Sequence, residues 1–238
     1  VQRLAEQLRR RHRLGRSDAA GLTLIELEAL QKNLAHQRAR ALRIQGQCYD
    51  RGSPDHINSL TQAIELLAPL AELAVADDLV WRSRIDRIVC LRLMGSLDRA
   101  AEELNHFMSR ESPPDIASRG RAEQIRLHLD RGRYDKALAE AKHAVTTTNS
   151  SSADLDFARL EATLAAWGSA VQKKQTELAK QLVRQATSQV QRFELVYGLY
   201  WMRRAESLFA SQLIRSDAGS DVAALIRCVS AMPITRMP

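Results

Sequence analysis

Six histidines, three cysteines and a few acidic pairs are the side chains here suited to moving protons, attacking a carbonyl or holding a metal. Their spacing organises none of that chemistry. His12, His36, His56, His106, His128 and His143 are scattered, and no two stand four apart as a helical metal pair would. Cys48, Cys90 and Cys228 are distant and odd in number, so neither a disulfide framework nor a Cys-x-x-Cys ligand pair follows. A phosphate-cradling glycine loop, a His-Glu-x-x-His helix and a Gly-x-Ser-x-Gly elbow are all missing from the sequence. Asp77-Asp78 falls at a predicted helix start, and Glu102-Glu103 on a helix face expected to be solvated. The expectation is a non-catalytic chain with no cofactor and no metal.

Binding is better represented than catalysis. Five of the eleven aromatics, Phe193, Tyr197, Tyr200, Trp201 and Phe209, fall between 193 and 209, beside Arg203 and Arg204. Aromatic rings beside guanidinium groups are the composition of interface hot spots, which makes Tyr200, Trp201 and Arg204 candidate partner-binding residues. The same helical spacing also suits one buried stripe closing the stack. A second basic feature is Arg9-Arg10-Arg11-His12-Arg13. Residues 1–51 carry eleven Lys/Arg against five Asp/Glu, so nearly all of the formal +7 charge resides there. Such a cluster can neutralise nucleic-acid phosphates or anionic headgroups. It lacks interleaved aromatics for base stacking and its apolar face is short, and a solvated arm or a helix docking on a neighbour is the alternative.

The elements that must position these residues are helices. Apolar residues make up 45% and charged residues 26%, a globular balance, and β-branched and aromatic runs are scarce. Residues 2–14 read as a short basic helix. Thr23 and Glu26 form a capping box that opens a helix of about 26 residues, with Leu27, Leu30, Leu34, Ala41, Ile44 and Cys48 at three-four spacing and Gln37 the polar interruption. Ser53-Pro54 opens the next, running to about Val75, with Pro69 expected to kink or break its last turn. Further helices are predicted at 79–94, 97–109, 116–131, 134–147, 154–172, 176–192, 195–214 and 221–229, with the polar run Thr146 to Ser152 as a loop. No apolar run reaches the ~18 residues of a membrane span. Lone thiols point to a reducing, cytoplasmic compartment, and the start at Val1 reads as a segment of a longer protein.

Two stretches repeat. Gly95, Leu97, Ala100 and Phe107 share their offsets with Gly132, Tyr134, Ala137 and Ala144. Glycine, tyrosine two later, alanine five later and a small residue seven beyond resembles the second helix of tetratricopeptide repeats. Ala179 and Ala186 keep the alanine spacing once more, with Lys174 where the glycine stood. The resemblance covers roughly residues 79–190 with degenerate first helices. It implies an all-α, TPR-like α-solenoid of about five helix-turn-helix pairs. The expected layout is a basic arm at 1–21, a divergent pair at 22–78, repeats at 79–192, a terminal pair at 193–232 and a linker at 233–238. The resemblance also implies a groove lined by the first helix of each pair, at Arg82, Ile85, Val89 and Arg92, then at Arg119, Ala122, Arg126 and Leu129. Arg82, Arg92, Arg119 and Arg126 would suit an acidic peptide, because guanidinium groups pair carboxylates bidentately; the alternative is a solvated helix face with these arginines partly paired to Asp86, Glu123 or Asp130.

The sequence therefore reads as a protein–protein interaction or scaffold module with a protein or peptide partner of acidic character. Two alternatives stand beside it: a nucleic-acid-binding helical array working through the basic N-terminal region, and a structural spacer stacked on further repeats.

Overall fold

A computed structural model describes residues 23–74, 77–147 and 152–215. Within them lie nine helices and no strand: α1 (Leu24–Gln47), α2 (Pro54–Ala71), α3 (Asp78–Leu93), α4 (Leu97–Met108), α5 (Pro114–Asp130), α6 (Tyr134–Thr147), α7 (Ala153–Gln172), α8 (Thr176–Tyr197) and α9 (Leu199–Arg215). The fold is all-α, as expected. The basic arm at 1–21, the helices at 2–14 and 221–229 and the linker at 233–238 lie outside the described residues.

Side-chain caps start four of the described helices. Thr23 accepts from the Glu26 N–H at 3.3 Å while Glu26 Oε2 accepts from the Thr23 N–H at 2.8 Å, the reciprocal pair that satisfies two free donors. Those bonds hold the Glu26 carboxyl below its ordinary value. Ser53, Asp77 and Ser152 cap α2, α3 and α7 in the same way through one side-chain oxygen each. Pro69 stands in the last turn of α2, which ends two residues later at Ala71 rather than near Val75.

Three turns, between α3 and α4, α5 and α6, and α7 and α8, are built alike. Gly95, Gly132 and Lys174 each adopt a left-handed backbone, with φ of 89°, 68° and 56°. Each donates to the carbonyl three residues back, and the next residue donates to the carbonyl five back (Ser96 to Leu91, Arg133 to His128, Gln175 to Ala170). This is the Schellman closure of a helix C-terminus. The next helix then opens with Ala100, Ala137 and Ala179 donating to Ser96, Arg133 and Gln175. The sequence repeat is therefore a repeated turn, and it includes the copy that lacks a glycine.

The described helices group into two compact units, one ending at Arg110 and one beginning at Glu111. In the first, α1, α2, α3 and α4 pack consecutively and α1 also meets α3. Its core holds Ala39, Leu60, Ala63, Leu67 and Cys90, with Trp81 and Phe107 edge to face at 5.6 Å. Buried polar groups fasten this unit too. Asp86 of α3 lies 3.1 Å from His36 Nε2 and accepts from Arg43 Nη1 at 2.7 Å, both on α1. His56 sets its two ring nitrogens 2.9 and 3.2 Å from the carbonyls of Gly46 and Leu93, bridging the ends of α1 and α3.

In the second unit α5 packs on α6 and α7, and α7 packs on α6, α8 and α9. Ala122, Ala137, Ala141, Ala144, Ala158 and Ala162 form one buried cluster, where small side chains let the helix backbones approach closely. Phe157, Leu160, Leu164, Trp167, Leu182, Val190, Phe193 and Phe209 form the larger one.

Two sequence expectations change. The helix predicted over 176–192 runs on to Tyr197 and breaks at Gly198 (φ 82°), so α9 starts at Leu199 rather than 195. Of the apolar three-four positions of α1, Leu27 is buried and the rest are not on its core face. Leu30, Leu34, Ala41, Ile44 and Cys48 are exposed, while His36, Ala39 and Gly46 turn inward. A Cβ on Gly46 would come within 3.2 Å of the Leu60 side chain, which would have to shift by a few tenths of an ångström.

Candidate functional site

Arg126 of α5 is the most constrained of the expected binding residues. Its Nη1 donates to Glu123 at 2.8 Å, Nη2 to Asp154 at 2.8 Å and Nε to Glu161 at 2.8 Å. Burial disfavours the charged guanidinium, but the three carboxylates of Glu161, Glu123 and Asp154 outweigh that and raise its pKa far above the ordinary value. Burial would likewise raise Asp154, and Arg126 reverses it, holding that carboxyl below its usual range. Arg126 thus joins α5 to α7 as an internal ion-pair hub.

The other groove positions divide. Ile85 and Ala122 are fully buried, so these carried-over positions belong to the core rather than to a groove wall. Arg82 is exposed and pairs with Asp78 one turn earlier at 2.9 Å. Arg92 and Arg119 are part-buried, and Arg119 also adds to the positive field on Asp154.

A cleft of about 520 Å³ opens in the first unit, lined by arginine, glutamate and a small apolar floor of Ala71, Ile88 and Phe107. Its cations are engaged. Arg87 donates to Glu103 at 2.8 Å, and Arg99 reaches the same carboxylate at 3.5 Å. Glu103 is therefore an interhelical partner between α3 and α4 and not a solvated charge as its sequence context predicts. Arg84 donates to the carbonyls of Ala71 and Leu73 at 2.8 and 3.0 Å, satisfying the C-terminal end of α2, and stacks 4.9 Å from the Trp81 ring. Burial and the charge of Arg110 lower its pKa from the ordinary value. Arg110 in turn lies 2.6 Å from His106 Nε2. The arrangement is a cross-braced polar cleft with no nucleophile held against a base.

The aromatic cluster resolves into two roles. Phe193 and Phe209 are buried, Tyr197 and Trp201 are half-buried, and Tyr200 is 70% exposed. Tyr197 donates its hydroxyl to Asp156 at 2.8 Å, and Arg159 donates to the other oxygen of that carboxylate at 2.6 Å. Arg204 spreads over both Phe157 and Trp201, 4.7 and 5.2 Å from their centroids. Around Gly198 four large apolar side chains, Leu195, Val196, Leu199 and Tyr200, face solvent. Tyr200 and Trp201 meet edge to face at 5.7 Å, so the outermost ring is braced by the one beneath it.

The structure thus brings Tyr200, Trp201 and Arg204 together at the α8–α9 corner. Of the groove arginines, Arg82 and Arg92 belong to the first unit and Arg119 and Arg126 to the second. Sequence reasoning missed Leu195, Val196 and Leu199, although four apolar residues within six positions around a glycine carry that signal. Among the described residues no group of His, Cys, Asp and Glu is placed to hold a metal ion, and no helix is long and apolar enough to cross a membrane. Comparison with protein-family models, curated proteins and solved structures finds no match to this chain.

Proposed function

We infer that the chain is a non-catalytic protein–protein interaction module, an array of degenerate tetratricopeptide-like helix pairs that receives a partner at the α8–α9 corner. The observation that carries this reading is the exposed cluster of Leu195, Val196, Leu199 and Tyr200 on a braced base of Trp201, Arg204 and Phe157. Exposed apolar surface of this density costs solubility unless something covers it, and rigid aromatic anchors lose little entropy on binding. Consecutive helix packing within each unit and the three matching turns are features of helix-pair repeats, and they support the tetratricopeptide-like description. An acidic-peptide groove built on Arg82, Arg92, Arg119 and Arg126 is the weaker arrangement, because Arg126 is already saturated by three carboxylates.

The test is capture from a source-cell lysate with and without nuclease, run beside a Tyr200→Ala, Leu195→Ser variant. A discrete protein should persist after nuclease and fall about tenfold or more with the variant, as for loss of an interface hot spot. Retention of nucleic acid alone, abolished by nuclease, would move the function to the basic N-terminal region.

A further inference from the structure

Helix α1 carries two opposed faces. One meets α2 and α3 through His36, Ala39, Arg43 and Gly46. The other is the exposed line already noted, with Leu30 50%, Leu34 38% and Ile44 55% accessible. Leu27 is buried, and from Leu30 the exposed steps to Leu34, Gln37, Ala41, Ile44 and Cys48 alternate four and three without a break. That is the a/d spacing of a coiled-coil seam, kept over about two and a half heptads. From Leu30 to Cys48 it runs about 27 Å at 1.5 Å per residue. A globular helix needs one apolar face, and this one has its core on the opposite side.

The flanks indicate what fits there. Arg38 and Arg40 occupy the e and g positions beside Gln37 at the middle of the seam. Arg38 makes no ion pair with any described residue, and Arg40 makes only a 3.4 Å contact with the Gln37 amide. Glu26, the acidic residue at the first g position, is held in the α1 capping box. Residues 1–21 bring six arginines against two acids, the wrong sign to cover this face.

We propose that the outer face of α1 is a docking seam for an amphipathic helix of a partner protein, with acidic residues flanking its apolar heptads and a polar residue opposite Gln37. The apolar positions supply contact area, the two arginines select the acidic flank, and Gln37 sets the register, as a single polar seam residue does in coiled coils. This rests on the interaction-module reading but uses a different surface, so Tyr200-dependent capture stands or falls separately.

The probe is a synthetic 21-residue peptide with Leu at a and d, one Asn facing Gln37 and Glu at every e and g, titrated by anisotropy against the full chain. Its twin carries Lys at e and g. The Glu peptide should bind at least tenfold more tightly, the more so at low salt. Leu34→Glu with Ile44→Glu should abolish that binding while far-UV helicity is unchanged, since both positions are exposed. Equal binding of the two peptides, no binding of either, or binding that survives the double variant would overturn the proposal. Self-association of the chain that the same variant removes, with Cys48–Cys48 crosslinking on oxidation, would assign the seam to a second copy and overturn it as well.

Discussion

Arg126 illustrates how one residue can exchange roles between sequence and structure. Its groove register makes it a binding residue, but Asp154 and Glu161 arrive from another helix, 28 and 35 positions away, and nothing local to α5 signals them. Glu123, three residues back on the same helix, is the part of the hub that the sequence offers as an alternative partner for the groove arginines. Arg126→Met should destabilise the chain by about 3–5 kcal/mol in urea unfolding, because it leaves three carboxylates without their cation. Adding Glu161→Gln should recover part of that loss. The same hub sets an acid dependence. Asp154 titrates below its ordinary value of about 3.9, so the unfolded chain takes the proton first. Its contribution is complete above that ordinary value and is lost as pH falls through the folded one. In the Arg126→Met variant this acid limb should flatten. His128 has the opposite charge but the same sign. Burial holds its pKa down against the pull of Glu140, with Lys136, Arg133 and Arg131 adding to the depression, and its Nδ1 has no described partner. The unfolded chain again binds the proton first, so stability should fall as pH drops below about 6.5 and level out under the folded value. His128→Leu should remove that slope from a series of thermal melts.

At the scale of elements, the turns were the most legible part of the chain. A helix end closed by a left-handed residue is a local device, and glycine announces it directly at Gly95 and Gly132. Lys174 gives no such signal, and only the spacing of Ala179 and Ala186 places it. A side chain at positive φ costs about 1–2 kcal/mol relative to right-handed backbone. Nothing else at these turns demands glycine, since a Cβ on Gly95 or Gly132 would meet open space. Lys174→Gly should therefore stabilise the protein by about 1 kcal/mol, and Gly132→Lys should destabilise it by a similar amount, both measurable as opposite shifts in Tm. Helix faces were less legible than helix ends. The apolar periodicity of α1 established the helix correctly, but periodicity gives a face without saying what covers it. The inward face is held by His36 and Arg43 on Asp86, a polar contact between positions 50 and 43 apart that no local pattern reveals. Burial of so polar a face is tolerable because each of those groups finds its partner on α3.

At the scale of the whole molecule, charge separates the two classes of partner that the sequence keeps open. The formal +7 is concentrated in residues 1–51, while the remainder is close to neutral. The α8–α9 corner lies in the near-neutral part and offers mainly apolar surface. Binding there should lose little affinity with salt, because it releases few counterions. Nucleic acid held by the N-terminal arginines would respond steeply, with log K falling against log salt by about 0.7–0.9 for each phosphate neutralised. Removing residues 1–21, with their six arginines, is a direct way to tell these apart. For an interaction module the shortened chain should capture the same nuclease-resistant protein with unchanged affinity at 50 and 200 mM salt, while any affinity for a random duplex drops and its salt slope shrinks. A protein partner lost together with that segment, and lost also at high salt from the intact chain, would mean that the arginine cluster and not the aromatic corner makes the contact. The two segments differ in charge and in sequence position, so one titration series on two chains distinguishes them.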